Sequence, residues 1–453
     1  MNTTSSVTKT NRRNFLVRSA GVATATLGFP ALLRGAAPNS KLRVACIGVG
    51  GMGGATMRAV ASHPAVEIVA LCDVDTPVLE QAAENYPAAS THIDWRDVLS
   101  DHADAFDAVT IGTPDHMHAA PAVTALRAKK HVYLQKPMAS TPHECRVIAQ
   151  EAAKADVVTQ LGNQGRSSIE SRTAVELIRN GAIGKIKEVI IWENKRLNWW
   201  PKNTALRSQG DAIPKGLHWD LWLGVREPRP YLEKTYHPKH WRAWFDFGVG
   251  EMGDMGCHHF DPTFDALKLT APLRVRQTTP GSSGPLWGER RQVELIFPGT
   301  DVTAADTIKV TWHDGDVRPD ATRIPLPVGM DELCESGSCW IGECGHIFKN
   351  YRKGAPVVIP QSGFPSDRYP SGIEPQNHYH DWVESILAGK KSCADFSHGG
   401  PLTEAVLVGA IADRFAGERL DWNQDELCFT NHAAATKLVR RMYRDGWSVS
   451  GLA

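Results

Sequence analysis

Residues 41–54 read KLRVACIGVGGMGG. An apolar run from Leu42 to Ile47 enters a turn with glycine at 48, 50 and 53, the spacing GxGxxG, and a helical pattern of Ala55, Met57, Ala59 and Val60 follows. A second apolar run, Val66 to Leu71, ends at Asp73. Strand, glycine turn, helix, second strand and terminal acid in this order define a dinucleotide-binding unit. Gly48 permits the tight turn, Gly50 lets the backbone approach a pyrophosphate, and Gly53 allows the helix to pack closely on the strand. Gly51 and Met52 complete the turn, and the helix N-terminus offers unpaired N–H groups to phosphate. Asp73 is placed to accept both ribose hydroxyls and would repel a 2′-phosphate, so the expected cofactor is NAD. Asp75 is a second acid at the same strand end.

Outward from this unit, apolar runs alternate with helical patterns. Ala108 to Ile111 precedes Thr113-Pro114-Asp115-His116-Met117-His118, His131 to Leu134 precedes Gln135-Lys136-Pro137, and Val157 to Leu161 precedes Gly162-Asn163-Gln164. Helical patterns cover Ala119 to Ala128 and Pro142 to Lys154. The alternation implies an α/β fold, a Rossmann doubly wound parallel sheet with ligand groups beyond the strand C-termini. Thr113, Pro114, His118, Lys136, Pro137 and Asn163 therefore join the candidate cofactor-binding residues. Further on, Gln292 to Phe297 and Thr307 to Trp312 read as antiparallel strands, and His378 to Leu387 and Leu402 to Phe415 as helices. Pro319 to Pro375, rich in Gly and Pro, reads mainly as loops. The expected division is a dinucleotide domain over 38–165 and an α+β substrate domain, on a mainly antiparallel sheet, over 166–453.

The glycine motif, the TPxxxH segment (Thr113, Pro114, His118), Lys136-Pro137 and the downstream Asp254-Met255-Gly256-Cys257-His258 together resemble the Gfo/Idh/MocA family of NAD(P)-dependent sugar and polyol oxidoreductases. The resemblance implies a catalytic set of Lys136, Asp254 and His258. Hydride transfer from a secondary alcohol needs a base for the hydroxyl proton and a donor for the developing oxyanion. Asp254 and His258, four residues apart, share one helix face, so His258 is the expected base, Asp254 its partner, and Lys136 the cation at the reacting hydroxyl. One residue departs from the family pattern. Gln135 stands where the family carries Glu, which removes an adjacent negative charge from Lys136.

Composition sets the outer limits. The 453 residues are 42% hydrophobic, which is ordinary for a folded chain, and exceed what a single core usually holds. Fifty basic residues balance fifty acidic ones, leaving no global source of attraction to nucleic acid or to an anionic membrane surface. Asn11-Arg12-Arg13-Asn14-Phe15-Leu16, the apolar stretch from Ala20 to Leu33 and Gly35-Ala36-Ala37 read as a twin-arginine signal peptide over 1–37. Its apolar stretch is too short to span a bilayer. A periplasmic or otherwise exported mature protein with no membrane span is expected. Cys334, Cys339 and Cys344 lack zinc-ligand spacing, so no metal is expected.

Seven of the fourteen tryptophans fall between Trp192 and Trp244. Indole faces pack on sugar rings, so part of this segment, with Trp199 and Trp200 beside Lys136, Asp254 and His258, is expected to bind a small carbohydrate or polyol. Three functions remain open at this point. One is oxidation of a secondary hydroxyl with tightly bound, recycled NAD. Another is redox-neutral cleavage of a glycoside by the same transient oxidation. The third is a non-catalytic carbohydrate-binding or sensing protein. A homo-oligomer is expected for any of them.

Overall fold

Six parallel strands make the first sheet: β1 (Leu42–Ile47), β2 (Val66–Cys72), β3 (Ser90–His92), β4 (Ala108–Ile111), β5 (His131–Gln135) and β6 (Thr159–Gly162), in the order β3-β2-β1-β4-β5-β6. This is the doubly wound order, and it reverses between β1 and β4, where such sheets bind ligands. The computed structural model describes residues 41–194, 200–201, 205–351 and 353–452. The signal read over residues 1–37, and Trp199, lie outside the described residues. All four residues of β4 are buried, as a strand covered on both faces requires. The helix Pro142–Ala155 starts with a reciprocal capping box, Thr141 accepting from the Glu144 N–H and Glu144 accepting from that of Thr141.

A second sheet of nine strands has the order β13-β12-β11-β7-β10-β9-β8-β14-β15. Its strands are β7 (Ile186–Glu193), β8 (Arg274–Gln277), β9 (Arg291–Pro298), β10 (Thr307–Asp314), β11 (Ser336–Gly342), β12 (His346–Asn350), β13 (Val357–Ile359), β14 (Leu420–Asn423) and β15 (Cys428–Phe429). Only β7 and β10 pair in parallel; the other named pairs are antiparallel. Strand β9 alternates strictly, with Arg291, Val293, Leu295 and Phe297 buried, and its pairing with β10 matches the sequence expectation.

The stretch 319–375 departs from the expected loops. It contributes β11, β12 and β13, and β11 lies against β7 well inside the sheet. Six of the seven residues of β11 are buried, among them Cys339 and Trp340, so the strand carries no apolar–polar alternation to read. Cys334 is half-buried and Cys344 exposed, and all nine cysteines are free thiols. Among the described residues no helix is long and apolar enough to cross a membrane.

The two sheets are tied by long-range helices. Trp382 and Val383 of the helix His378–Ala388 share a hydrophobic cluster with β1 and β2. The helix Phe396–Ile411 packs between Pro142–Ala155 and Gly250–Leu267. Gly256 permits that approach, since a Cβ there would stand 3.1 Å from Val406 Cγ1. From residue 211 onward the chain also crosses back over the first sheet. The Thr76 N–H donates to Gly216 O and the His218 N–H to Val74 O, each at 2.9 Å, and His237 Nε2 stands 3.0 Å from Asp75 Oδ2. Tryptophans 219, 222, 241 and 244 build a small core of this strap with Tyr231, Tyr236 and Phe247.

Under the second sheet, the fully buried Arg291 pairs with Asp314 at 2.8 Å, and the Trp312 indole N–H donates to the same carboxylate oxygen at 2.8 Å. Replacing Arg291 with Met would strand that carboxylate. The expected cost is about 3–5 kcal/mol, read as a fall in the urea unfolding midpoint.

Candidate active site

A cavity of about 590 Å³ opens at the C-terminal ends of β1, β2, β4 and β5, where the strand order reverses. Its floor is the glycine turn. Gly48 adopts φ +77° and lies so close to the end of β4 that a Cβ would stand 2.7 Å from the Gly112 carbonyl carbon. Gly53 faces inward, where a Cβ would stand 2.0 Å from Gly48 O, so it serves helix-to-strand packing as its spacing implies. Gly50, Gly51 and Met52 line the cavity.

Asp73 lies at the cavity edge. One carboxylate oxygen accepts from the Val49 N–H at 2.9 Å and the Gly50 N–H at 3.2 Å, and the other from the Asp75 N–H at 3.0 Å. Burial pushes this carboxyl above its ordinary value, against the pull of these N–H groups. Thr113 and Pro114 line the next wall, and Thr113 Oγ1 is buried without a hydrogen-bond partner among the described residues. His118 also reaches the wall, its ring nitrogens 2.7 and 2.8 Å from the carbonyl oxygens of Pro137 and Thr113. It staples the loop after β4 to the loop after β5.

Lys136 occupies the centre. Its ammonium donates to Asp254 Oδ1 at 2.8 Å and to Asp254 O at 2.7 Å. Arg242 Nε lies 3.6 Å from the same carboxylate. Burial opposes ionisation of Asp254, but the Lys136 and Arg242 cations outweigh it and hold the carboxyl below the usual range. The helix begins at Gly250, which places Asp254 in its second turn.

Several site expectations need correction. Asp254 does not orient His258, because its carboxylate turns to Lys136. His258 Nδ1 has no hydrogen-bond partner among the described residues, and the ring is not on the cavity wall. Burial, then the Lys136 charge, push this imidazole down to about 3, so it is neutral at physiological pH. Asn163 is fully buried and donates to Asp261 Oδ2 at 2.7 Å and to Cys257 O at 3.1 Å, fixing β6 to the Gly250–Leu267 helix rather than facing the cavity. Trp200 packs against the main hydrophobic core, away from the wall, and Pro137 is buried and also off the wall. Of the described tryptophans in the Trp192–Trp244 segment, those that line the cavity are Trp222 and Trp241, and Trp95 of the first domain joins them.

Gln135 also lines the cavity, and its amide donates to Thr56 Oγ1 at 2.7 Å, bracing the helix that follows the glycine turn. Sequence reasoning assigned no role to Asp115, which lies on the wall beside Lys136, Arg242 and Asp254. Its place directly after a strand end was the available signal. Among the described residues, no group of three or more His, Cys, Asp or Glu side chains is arranged to hold a metal.

The family model of the oxidoreductase NAD-binding Rossmann fold, GFO_IDH_MocA, matches residues 42–163, and the family's C-terminal alpha/beta domain matches residues 168–302. The chain belongs to the Gfo/Idh/MocA oxidoreductase family, and its cofactor is NAD. A glycosyl hydrolase family 109 protein of Shewanella baltica strain OS185 is 30% identical over 428 residues, covering 86% of this chain and 84% of the relative. The WlbA dehydrogenase of Bordetella pertussis, solved with NADH and UDP-GlcNAcA, shares the fold at TM-score 0.60 and 15% identity, over 84% of this chain and 99% of that one. The aldose-aldose oxidoreductase of Caulobacter crescentus, solved with glycerol, does so at TM-score 0.56 and 19% identity, over 84% and 100%.

The residues present fit NAD. A Cβ on Gly50 would stand 3.1 Å from Val78 Cγ1 and 3.8 Å from Asp73 Oδ2, filling the groove between turn and acid, whereas one on Gly51 would meet nothing within 4 Å. Like-charge contact costs several kcal/mol. NADP is therefore expected to bind at least ~10-fold more weakly than NAD, and Asp73→Ser to narrow that gap, both read by titration calorimetry.

Proposed function

We propose that this chain oxidises a secondary hydroxyl of a sugar, polyol or glycoside, with its NAD held and recycled in the cavity. The observation that carries the reading is the position of Lys136. It stands where the strand ends of the dinucleotide sheet meet the Gly250–Leu267 helix, and two of its three N–H groups are committed to Asp254. The third is free to donate to a substrate oxygen. Bound NAD supplies the acceptor for the hydride that leaves the carbinol carbon. Lys136 holds the oxygen of that carbinol and steadies the charge that develops on it, Asp254 keeps the ammonium in place, and Trp222 and Trp241 offer apolar faces to a ring. The strap over residues 211–245 shields the reacting carbon from water.

An export signal over residues 1–37 supports cofactor retention, because free NAD is scarce outside the cytoplasm and a dissociating cofactor would halt turnover. A second reading is favoured by the near full-length match to a glycosyl hydrolase family 109 protein. There, oxidation of one sugar carbon acidifies the neighbouring C–H, a glycosidic bond breaks, and the hydride returns, so no net redox change results.

Mixing NAD-loaded protein with a panel of monosaccharides, polyols and p-nitrophenyl glycosides is expected to change the near-ultraviolet nicotinamide absorbance. Release of p-nitrophenol without net reduction would select the second reading. Lys136→Met is expected to slow hydride transfer by about 10²–10³-fold while native mass spectrometry still finds NAD on the protein. Firm sugar binding by calorimetry with no absorbance change and no product would identify a binding or sensing protein instead.

A further inference from the structure

Four guanidinium groups, those of Arg226, Arg229, Arg414 and Arg441, gather where the strap meets the loop after β5, the C-terminal tail and the turn that follows the Phe396–Ile411 helix. Hydrogen bonds hold these segments together. The Arg444 N–H donates to Val225 O at 3.2 Å, and Arg226 Nη2 donates to Ser140 Oγ at 2.9 Å. Arg226 is 5% exposed. The guanidinium carbons of Arg441 and Arg414 lie 4.1 and 4.3 Å from the ring centre of Phe245, so both cations rest on one aromatic side chain.

The donors of this cluster outnumber its acceptors. Arg226 Nε, Arg441 Nε and Nη1, and Arg414 Nε and Nη2 are all buried without a hydrogen-bond partner among the described residues. The neighbouring carboxylates are committed elsewhere. Asp246 pairs with Arg229 at 2.8 Å, and Asp413 accepts from the Gln277 amide at 3.1 Å and the Gly288 N–H at 2.9 Å. Glu144 accepts from the N–H groups of Ser140 and Thr141, from the Ser140 hydroxyl and from the Tyr443 hydroxyl. A buried cation without a counter-charge is costly, and buried donors in folded proteins are otherwise met. Burial, then the Arg226 charge, push the Arg441 guanidinium down to about 9, so it remains charged at neutral pH. Arg441 keeps part of its surface and the Asp246 side chain is 45% exposed, which gives dissolved ions a way in.

We propose that Arg226 and Arg441 hold an inorganic oxyanion of the sulfate or phosphate class. Such an ion presents several acceptor oxygens to two guanidinium planes at once, and its charge offsets both, which a water molecule cannot do. Arg414, on the ring of Phe245, adds a third positive charge nearby. The bound ion would clip the C-terminal tail to the loop that carries Ser140, four residues beyond Lys136.

The test uses full-length protein saturated with NAD, so that the pyrophosphate site is filled, in a low-salt buffer free of oxyanions. Titration calorimetry with sodium sulfate or inorganic phosphate should show saturable binding of one ion per chain, absent with sodium chloride at matched ionic strength. The tighter ion identifies the ligand. Arg441→Met, which keeps an aliphatic stem on Phe245, should weaken that binding by at least ~10-fold, and Arg441→Lys, which keeps the charge without the planar donors, by less. In chloride, Arg441→Met should melt no lower than the wild type, because an apolar chain replaces a cation that lacks a counter-charge. In sulfate, the wild type should gain more melting temperature than Arg441→Met, a difference in which the general effect of sulfate on folded chains cancels. No saturable binding of either ion by the wild type overturns the proposal and leaves water to meet the donors, a result that stands whether or not the variants fold. Binding undiminished in Arg441→Met also overturns it, as does a variant that melts lower by the same amount in chloride and in sulfate, which would give Arg441 a packing role instead.

Discussion

The ammonium of Lys136 comes from the end of β5, and both of its acceptors come from one residue of the helix that the second half of the chain supplies. A cation in such a place needs partners, because removing one member of a buried pair costs about 3–5 kcal/mol. The figure here is smaller, since Lys136 and Asp254 keep 13% and 18% of their side-chain surface. Even so, the dinucleotide sheet and the helix cannot part at this point without exposing an unpaired charge to an apolar wall. The geometry of the cavity is therefore a condition of the folded state.

Around that pair, two carboxyl groups on one wall are driven in opposite directions. Asp254 touches two cations and stays ionised, while Asp115 is more deeply buried, relies on a backbone N–H and titrates near neutrality. Separating the titration of neighbouring acids by environment lets one wall hold a fixed negative charge beside a carboxyl that burial keeps largely protonated below neutrality. Gln135 belongs to the same balance. Its amide spends its N–H on Thr56 and brings no third negative charge to the wall.

The dinucleotide half was readable because its constraints are local. Gly48 and Gly53 lie where any side chain would strike backbone, and the continuous apolar runs of β1, β4 and β5 reflect burial on both faces. Lys136 and Asp254 were also within reach, as polar residues at a strand end and on a glycine-rich helix. What the sequence withheld depends on contacts across long separations. The i,i+4 spacing placed Asp254 and His258 on one face correctly, but which neighbour the carboxylate would choose was decided by Lys136, 118 positions earlier. Asn163 looked like a strand-end ligand and instead anchors a helix 94 to 98 residues away. Strand β11 escaped notice because its serines are buried along with Cys339 and Trp340, so it lacks the alternation that marks a half-buried strand. The tryptophan-rich segment was read as a pocket, yet four of its indoles build the strap's own core, and of the described ones Trp222 and Trp241 also reach the wall.

That strap also sets how the cavity can widen. Its two backbone hydrogen bonds to the β2 end and its His237–Asp75 contact cross the cavity that the glycine turn floors. Widening the cavity on that side would have to break those three contacts, so its width there is tied to a local opening of the polypeptide and not to side-chain rotation alone.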